Sequence, residues 1–364
     1  MLRRAGLLST AAVLIWGAGA PLFAQGRVSV HANVLFYGDN TEFRNPFREG
    51  ETILGAALRL GAEAEISDRA TLVLGVFANG RFGSDDAFDD VRPILRLTLR
   101  GKRSAFVFGS LPASPHAADA GPDLNGPHGL LPPIQRETLA FDRPYEAGLQ
   151  WTFTGATLNH DVWLNWQRTN TREHRERFDG GVRGELGPGA GLAVPFQLHI
   201  VHEGGQLFAT GPVADSIAAA LGARLRTTFA SPGGRRDAAW RLSLEAYVLA
   251  SRFVPDRDAP RRSRSGAGMF ARAAGERAGW RGHLLFWRGD DFVADEGDPN
   301  YLAIRRDGTR YRGVRDYAEA GVARLFRPSA RLTLQASARV HRVERHYEYS
   351  YRLLGVTALD WTVR

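Results

Sequence analysis

The chain contains no cysteine and a single lysine, Lys102, and beyond residue 24 it has no apolar run of about 18 residues. The missing cysteines exclude a small disulfide-stapled scaffold. The missing apolar run excludes a transmembrane helix, so the protein can cross a membrane only as a closed barrel. Basic charge is carried almost wholly by arginine and is spread among many acids, without the basic stripe or tail that a nucleic-acid partner needs. The formal charge of +8 falls to +6 once Arg3 and Arg4 are removed.

Those two arginines open a segment with an apolar stretch from Leu7 to Ala20 and small residues before Ala24. Charge, short apolar core and small residues in that order predict a cleaved secretory signal over 1–24. Residues 25–364 are then one exported domain.

What fills that domain is alternation. In SARLTLQASARVHR, Leu332, Leu334, Ala336, Ala338 and Val340 share one face, with Arg331, Thr333, Gln335, Ser337, Arg339 and His341 on the other. VRPILRLTLRGK repeats the pattern, setting Leu95, Leu97 and Leu99 against Arg92, Arg96 and Arg100, and WRLSLEAYV sets Leu242 and Leu244 against Arg241 and Glu245. Period two is a strand signature. A polar face this heavily charged fits a wet lumen and not the dry core of a sandwich.

Such segments predict an all-β, transmembrane antiparallel β-barrel of about 16 strands, with 14 to 18 possible. Segments 104–110, 265–274 and 315–326 carry the weakest pattern. The connections alternate between short and long, as expected for periplasmic turns and external loops. Aromatic residues gather at strand ends, with Trp240, Trp280 and Trp361 at one level and Phe36, Trp166, Trp287 and Tyr347 at the other.

In this architecture the chain resembles the general diffusion porins, across its whole mature length and without a diagnostic motif. The closing segment YEYSYRLLGVTALDWTVR also resembles the last strand of outer-membrane proteins, although it ends in Arg364 where those usually end in an aromatic residue. The resemblance implies that the connection between strands five and six, here residues 111–144, folds into the lumen. Its Asp119, Asp123, Arg136, Glu137 and Asp142 would form a constriction. The lumen lining is expected to include Arg59, Glu63, Arg92, Arg96, Arg100, Arg224, Arg226, Arg241, Glu245, Arg331 and Arg339.

An excess of arginine favours anionic solutes, because guanidinium groups bind carboxylates and phosphates bidentately. The function expected is therefore a passive or weakly selective outer-membrane channel. An exporter of an acidic exopolysaccharide, similar to the alginate exporters, is the alternative, and a barrel enzyme or a structural, surface-binding barrel is the second alternative. Expected partners are outer-membrane lipid and lipopolysaccharide, small anionic solutes, the barrel-assembly machinery and, as for porins, further copies of the chain. Neither a nucleic acid nor an organic cofactor is expected. Asp290, Asp291 and Asp295 are candidates for a surface metal site, without EF-hand spacing.

Catalysis is not expected. Ser114 and His116 are neighbours in a proline-rich loop, while His160, His199, His202, His283 and His341 fall on separate strands with no serine motif beside them. A soluble carbohydrate-binding β-protein fits poorly, since it would have to expose an apolar face on almost every strand.

Overall fold

The computed structural model describes residues 27–112, 125–188, 191–229 and 239–363. The signal segment 1–24, Ser114, His116, Asp119 and Asp123 lie outside them.

Sixteen antiparallel strands close on themselves. They are β1 (Val28–Glu42), β2 (Glu51–Ser67), β3 (Ala70–Arg81), β4 (Asp90–Arg100), β5 (Ser104–Ser110), β6 (Ala147–Thr154), β7 (Leu158–Arg168) and β8 (Glu176–Leu186). There follow β9 (Leu192–Gly204), β10 (Ala214–Phe229), β11 (Trp240–Val254), β12 (Arg264–Arg277), β13 (Trp280–Asp290), β14 (Val314–Ser329), β15 (Leu332–Val343) and β16 (His346–Val363). The strands with the weakest sequence pattern all form.

Each strand bonds to its sequence neighbours, and β1 pairs with β16 from Val28↔Val363 to Glu42↔Tyr349. Closure leaves no unpaired edge, which hydrocarbon would penalise by several kcal/mol for each bare amide. Outward positions such as Leu95, Leu244, Val248, Leu284 and Val340 are exposed apolar side chains, as a lipid-facing wall requires.

The alternation of connection lengths is not strict. The external connection between β15 and β16 has only residues 344–345, whereas the periplasmic one between β10 and β11 runs through 230–239. The rim at β15–β16 therefore carries no long loop of its own.

Long connections turn inward. Residues 125–146 lie inside the barrel, with Leu130, Leu131 and Ile134 wholly buried. Leu131 N donates to Gln197 Oε1 of β9 at 2.9 Å, Arg272 of β12 donates to Asn125 Oδ1 at 2.9 Å, and Arg59 of β2 donates to Pro144 O. A short helix, α1 (Leu139–Asp142), packs Phe141 on Tyr37 of β1, with ring centroids 5.1 Å apart.

The connection 291–313 joins this plug. Val293 N and Asp295 N each donate at 3.0 Å to serine hydroxyls of β11 and β10, Ser251 and Ser216. Arg136 N donates to Glu296 O at 2.7 Å, and Asp298 N to Pro132 O at 2.9 Å, so the two inserted segments are bonded to each other. The apolar core of the molecule thus sits in the lumen, where Leu131, Trp163, Phe270, Trp287, Phe292 and Tyr301 pack together. Trp287, expected at the outer aromatic belt, is instead a fully buried member of this core that donates to Tyr301 O at 3.1 Å. Trp151, Trp240, Trp280 and Trp361 do face outward toward the periplasmic ends, as do Phe36, Trp166 and Tyr347 toward the external ends.

Candidate functional site

Strand pairing assembles a polar cluster beneath the short β15–β16 turn. Arg339 of β15 pairs with Ser350 of β16 and with Gly321 of β14. Period two then sends Tyr317, Glu319, Arg339, His341, Ser350 and Arg352 to the same inner face.

His341 is the centre. Its Nε2 lies 2.8 Å from Ser350 Oγ, and its Nδ1 lies 2.7 Å from Tyr317 OH and 3.2 Å from Glu319 Oε2. Tyr317 OH donates to Glu319 Oε2 at 2.5 Å. The tyrosine oxygen therefore accepts from His341 Nδ1–H, which leaves Nε2 as the acceptor for the Ser350 hydroxyl. Arg339 Nε donates to the same Ser350 Oγ at 3.1 Å. Ser350 is 1% exposed and His341 2%.

The cluster is tied to the plug by ion pairs. Glu137 accepts from Arg339 at 2.5 Å and from Arg352 at 3.1 Å, and Arg352 also donates to Asp39 Oδ1 of β1 at 2.8 Å. Burial alone would raise the Glu137 carboxyl, but the two guanidinium groups outweigh it and hold it at about 2. Phe43 stands edge-on to His341 at 5.0 Å between ring centroids, in a strap, residues 43–48, that covers the site. Asn45 fastens this strap to Glu348 of β16 and to Asn300, while Arg48 pairs with Asp298. Between strap and His341 lies a cavity of about 10 Å³, room for roughly one water.

A serine hydroxyl on the acceptor nitrogen of an imidazole whose other nitrogen is oriented by a carboxylate system is the arrangement that activates a nucleophile for acyl transfer. Sequence reasoning had His341 but not its partner. The two are nine residues apart, and only the β15–β16 register shows that they touch.

Most of the residues expected to line the lumen are paired with other side chains. Arg92 meets Asp90 at 2.7 Å, Arg100 lies 3.9 Å from Glu63, Arg224 and Arg226 meet Glu185, and Arg241 meets Glu276 at 2.6 Å. Glu245 is shared by Arg224 and Arg272. Arg59 lies over the Phe77 ring, 5.0 Å from its centroid, and Arg96 projects from the same inner face of β4 as Arg92 and Arg100. Arg331 is a correction, because it lies in the exposed turn between β14 and β15 and not in the wall. The constriction acids are paired as well: Glu137 binds Arg339 and Arg352, and Asp142 binds Arg81 and Arg136.

The surface metal site does not assemble. Asp291 is held by Arg310 and Asp295 by Arg177, so guanidinium groups balance these carboxylates, and Asp290 ends β13 in the wall. A different trio, Asp179, His199 and Glu296, is buried with its ligand atoms within 4.8 Å of one another. Asp179 Oδ1 accepts from Asn165 at 2.8 Å and Gln167 at 2.6 Å, and Glu296 Oε1 accepts from Arg143 at 2.5 Å. Protein donors already neutralise this trio, and a cation would have to displace them.

The closed 16-strand wall and inserted loops define an outer-membrane β-barrel of porin-like architecture. Its fold is similar to OmpT of Vibrio cholerae: a loop L8 deletion mutant aligns with a TM-score of 0.57 at 10% identity over 92% of this chain and 99% of that one. The in-vitro folded trimer form of OmpT gives 0.54 at 8% identity, over 92% and 99%. No curated protein matches. The chain belongs to the Lipid A 3'-O-deacylase-type family, whose model matches residues 21–362. That membership overturns the expectation of a protein without enzymatic activity, since the family is named for an ester cleavage.

Proposed function

We propose that this barrel is an outer-membrane acyl-ester hydrolase acting on lipid A-type lipids, with Ser350 as nucleophile. The observation that carries this reading is the 2.8 Å contact between Ser350 Oγ and His341 Nε2, backed by Tyr317 and Glu319. His341 takes the hydroxyl proton as Oγ attacks the acyl carbonyl. The same proton passes to the departing sugar oxygen, and water then hydrolyses the acyl-serine with His341 again as base. Arg339 Nε beside Oγ supplies positive charge where negative charge develops. The strap over His341 must lift to admit the ester, so closure excludes water from the resting site.

The filled lumen supports this reading over a permanently open pore. Export through a cleaved signal and the assembly machinery would place the site at the external leaflet, where lipid A resides. The test is to incubate refolded protein with lipid A and quantify released fatty acid by mass spectrometry, alongside Ser350→Ala and His341→Asn. Loss of at least 10³-fold in both variants, with heat-modifiable migration retained, supports the reading. Equal release by Ser350→Ala refutes the assignment.

A second reading, a gated channel for anionic solutes, is favoured by the water-exposed guanidinium groups of Arg226 and Arg241 in the periplasmic half of the lumen. Planar-bilayer conductance with reversal potentials in a KCl gradient tests it.

A further inference from the structure

On the lipid side of the wall, behind the Ser350 site, a groove of about 870 Å³ crosses β10 to β16. Its floor is made by Ala273, Gly282, Ala320 and Ala338, and Leu284 and Val340 stand on its banks. A Cβ added at Gly282 would meet nothing nearer than 3.9 Å, so the floor is open.

The groove descends as it crosses. It follows the paired row Ser350, Arg339, Gly321, His283, Ala274 and Ser243. Ser350 stands four residues from the external end of β16, Gly321 seven from that of β14, and Ser243 eleven from that of β11. Five steps between strands, at about 4.8 Å each, make a track of roughly 24 Å. One leaflet of hydrocarbon is about 15 Å deep, so the track accommodates an acyl chain that starts at the external surface.

Its upper end carries a different chemistry. Tyr347, Tyr349 and Tyr351 form a ladder on the lipid face of β16, with Tyr347 76% exposed. Above them Arg345 is exposed in the two-residue turn, and Arg44 is exposed on the strap that Glu348 anchors beside it. Tyrosines suit the headgroup boundary, and guanidinium groups suit phosphate.

We propose that this face holds one phosphorylated lipid of the external leaflet, with an acyl chain in the groove and its phosphate at Arg345 and Arg44. The inference rests on the hydrolase reading for its purpose: an ester at the root of that chain stands at the short β15–β16 turn, next to the strap over Ser350. The occupant is a lipid because the groove is apolar and faces hydrocarbon along its length, with Arg345 and Arg44 above its external end and Arg277 and Arg324 below its periplasmic end.

The experiment compares wild type with the double variant Ala320→Phe/Ala338→Phe, which fills the groove, and with Arg44→Ala/Arg345→Ala. Native mass spectrometry counts lipid retained after exposure to lipid A or to its dephosphorylated form, and initial rates of acid release are read on the same samples. Wild type is expected to retain one lipid A per chain. The groove-filled variant should retain at least tenfold less and show a raised KM with little change in kcat. The arginine variant should lose the preference for the phosphorylated lipid.

Equal retention by all three proteins would overturn the inference. So would a groove-filled variant that changes oligomeric state while retaining lipid as before, because the face would then belong to a second copy. Selective retention without any acid release from wild type would sustain the docking site and sink the hydrolase reading instead.

Discussion

Glu137 is the ionic link that ties the inserted segment 125–146 to β15 and β16, and Glu137→Gln breaks that link without changing side-chain size. In the folded protein its carboxyl is held at about 2, against an ordinary value of 4.5, by Arg339 and Arg352. Because the folded value is depressed, the stabilisation is complete above about pH 4.5 and is lost as pH falls through about 2. The difference corresponds to roughly 3 kcal/mol, a shift of a few hundredfold between docked and undocked plug. Neutralising Glu137 also takes one carboxylate from two buried guanidinium groups, and because Arg352 keeps Asp39 and Arg339 keeps Glu319 the added cost stays below the ~3–5 kcal/mol of a buried charge left unpaired. The assay is denaturant unfolding in detergent, followed by tryptophan fluorescence, at pH values from 2 to 7. Wild type should lose stability steeply between about pH 4.5 and pH 2, whereas Glu137→Gln should start lower and show a flatter profile there. Identical midpoints and pH profiles for the two proteins would refute the claim that this ion pair holds the plug.

Other consequences are equally open to measurement. Burial alone would depress His128, but the carboxylates of Glu146 and Asp161 outweigh it and raise the imidazole to about 10. Its contribution is then complete below about pH 6.5 and fades as pH rises through about 10, so His128→Phe should flatten the alkaline arm of the stability profile. Gly109 has φ +102°, and a Cβ there would stand 2.0 Å from Leu95 O. Gly109→Ala should therefore cost more than about 2 kcal/mol, read as a lower denaturant midpoint, while an alanine at Gly83, with nothing within 4 Å, should cost less. Loosening the strap by Asn45→Ala, which removes the side-chain bonds to Glu348 and Asn300 and keeps the backbone one to Glu348, should speed proteolysis within 43–48 and leave the barrel folded.

The wall was legible because its physics is local. Each strand carries its own alternation, so Leu95 and Leu99 against Arg92 and Arg96 specify a face without knowledge of any neighbour. Inward folding was implied for the connection between β5 and β6 by the porin resemblance, and over 125–144 apolar residues such as Leu130, Leu131 and Ile134, which a hydrated loop has no use for, agree with it. The part played by 291–303 was hidden because its acids read as surface charge, although Glu296 and Asp298 are buried against arginines. Trp287 stands near a strand end, as belt residues do, but its parity, opposite to that of outward-facing Leu284 and Phe286, turns it into the lumen. Ser350 was illegible for a stronger reason: in YEYSYR nothing marks it, and its meaning comes only from the register that sets it beside His341.

The most direct test of the central claim is the intact mass of the protein after brief mixing with lipid A, followed by peptide mapping. The account predicts a transient adduct of one fatty acyl group on Ser350, absent from Ser350→Ala and His341→Asn. Fatty acid release that proceeds with no adduct and persists in Ser350→Ala would contradict it.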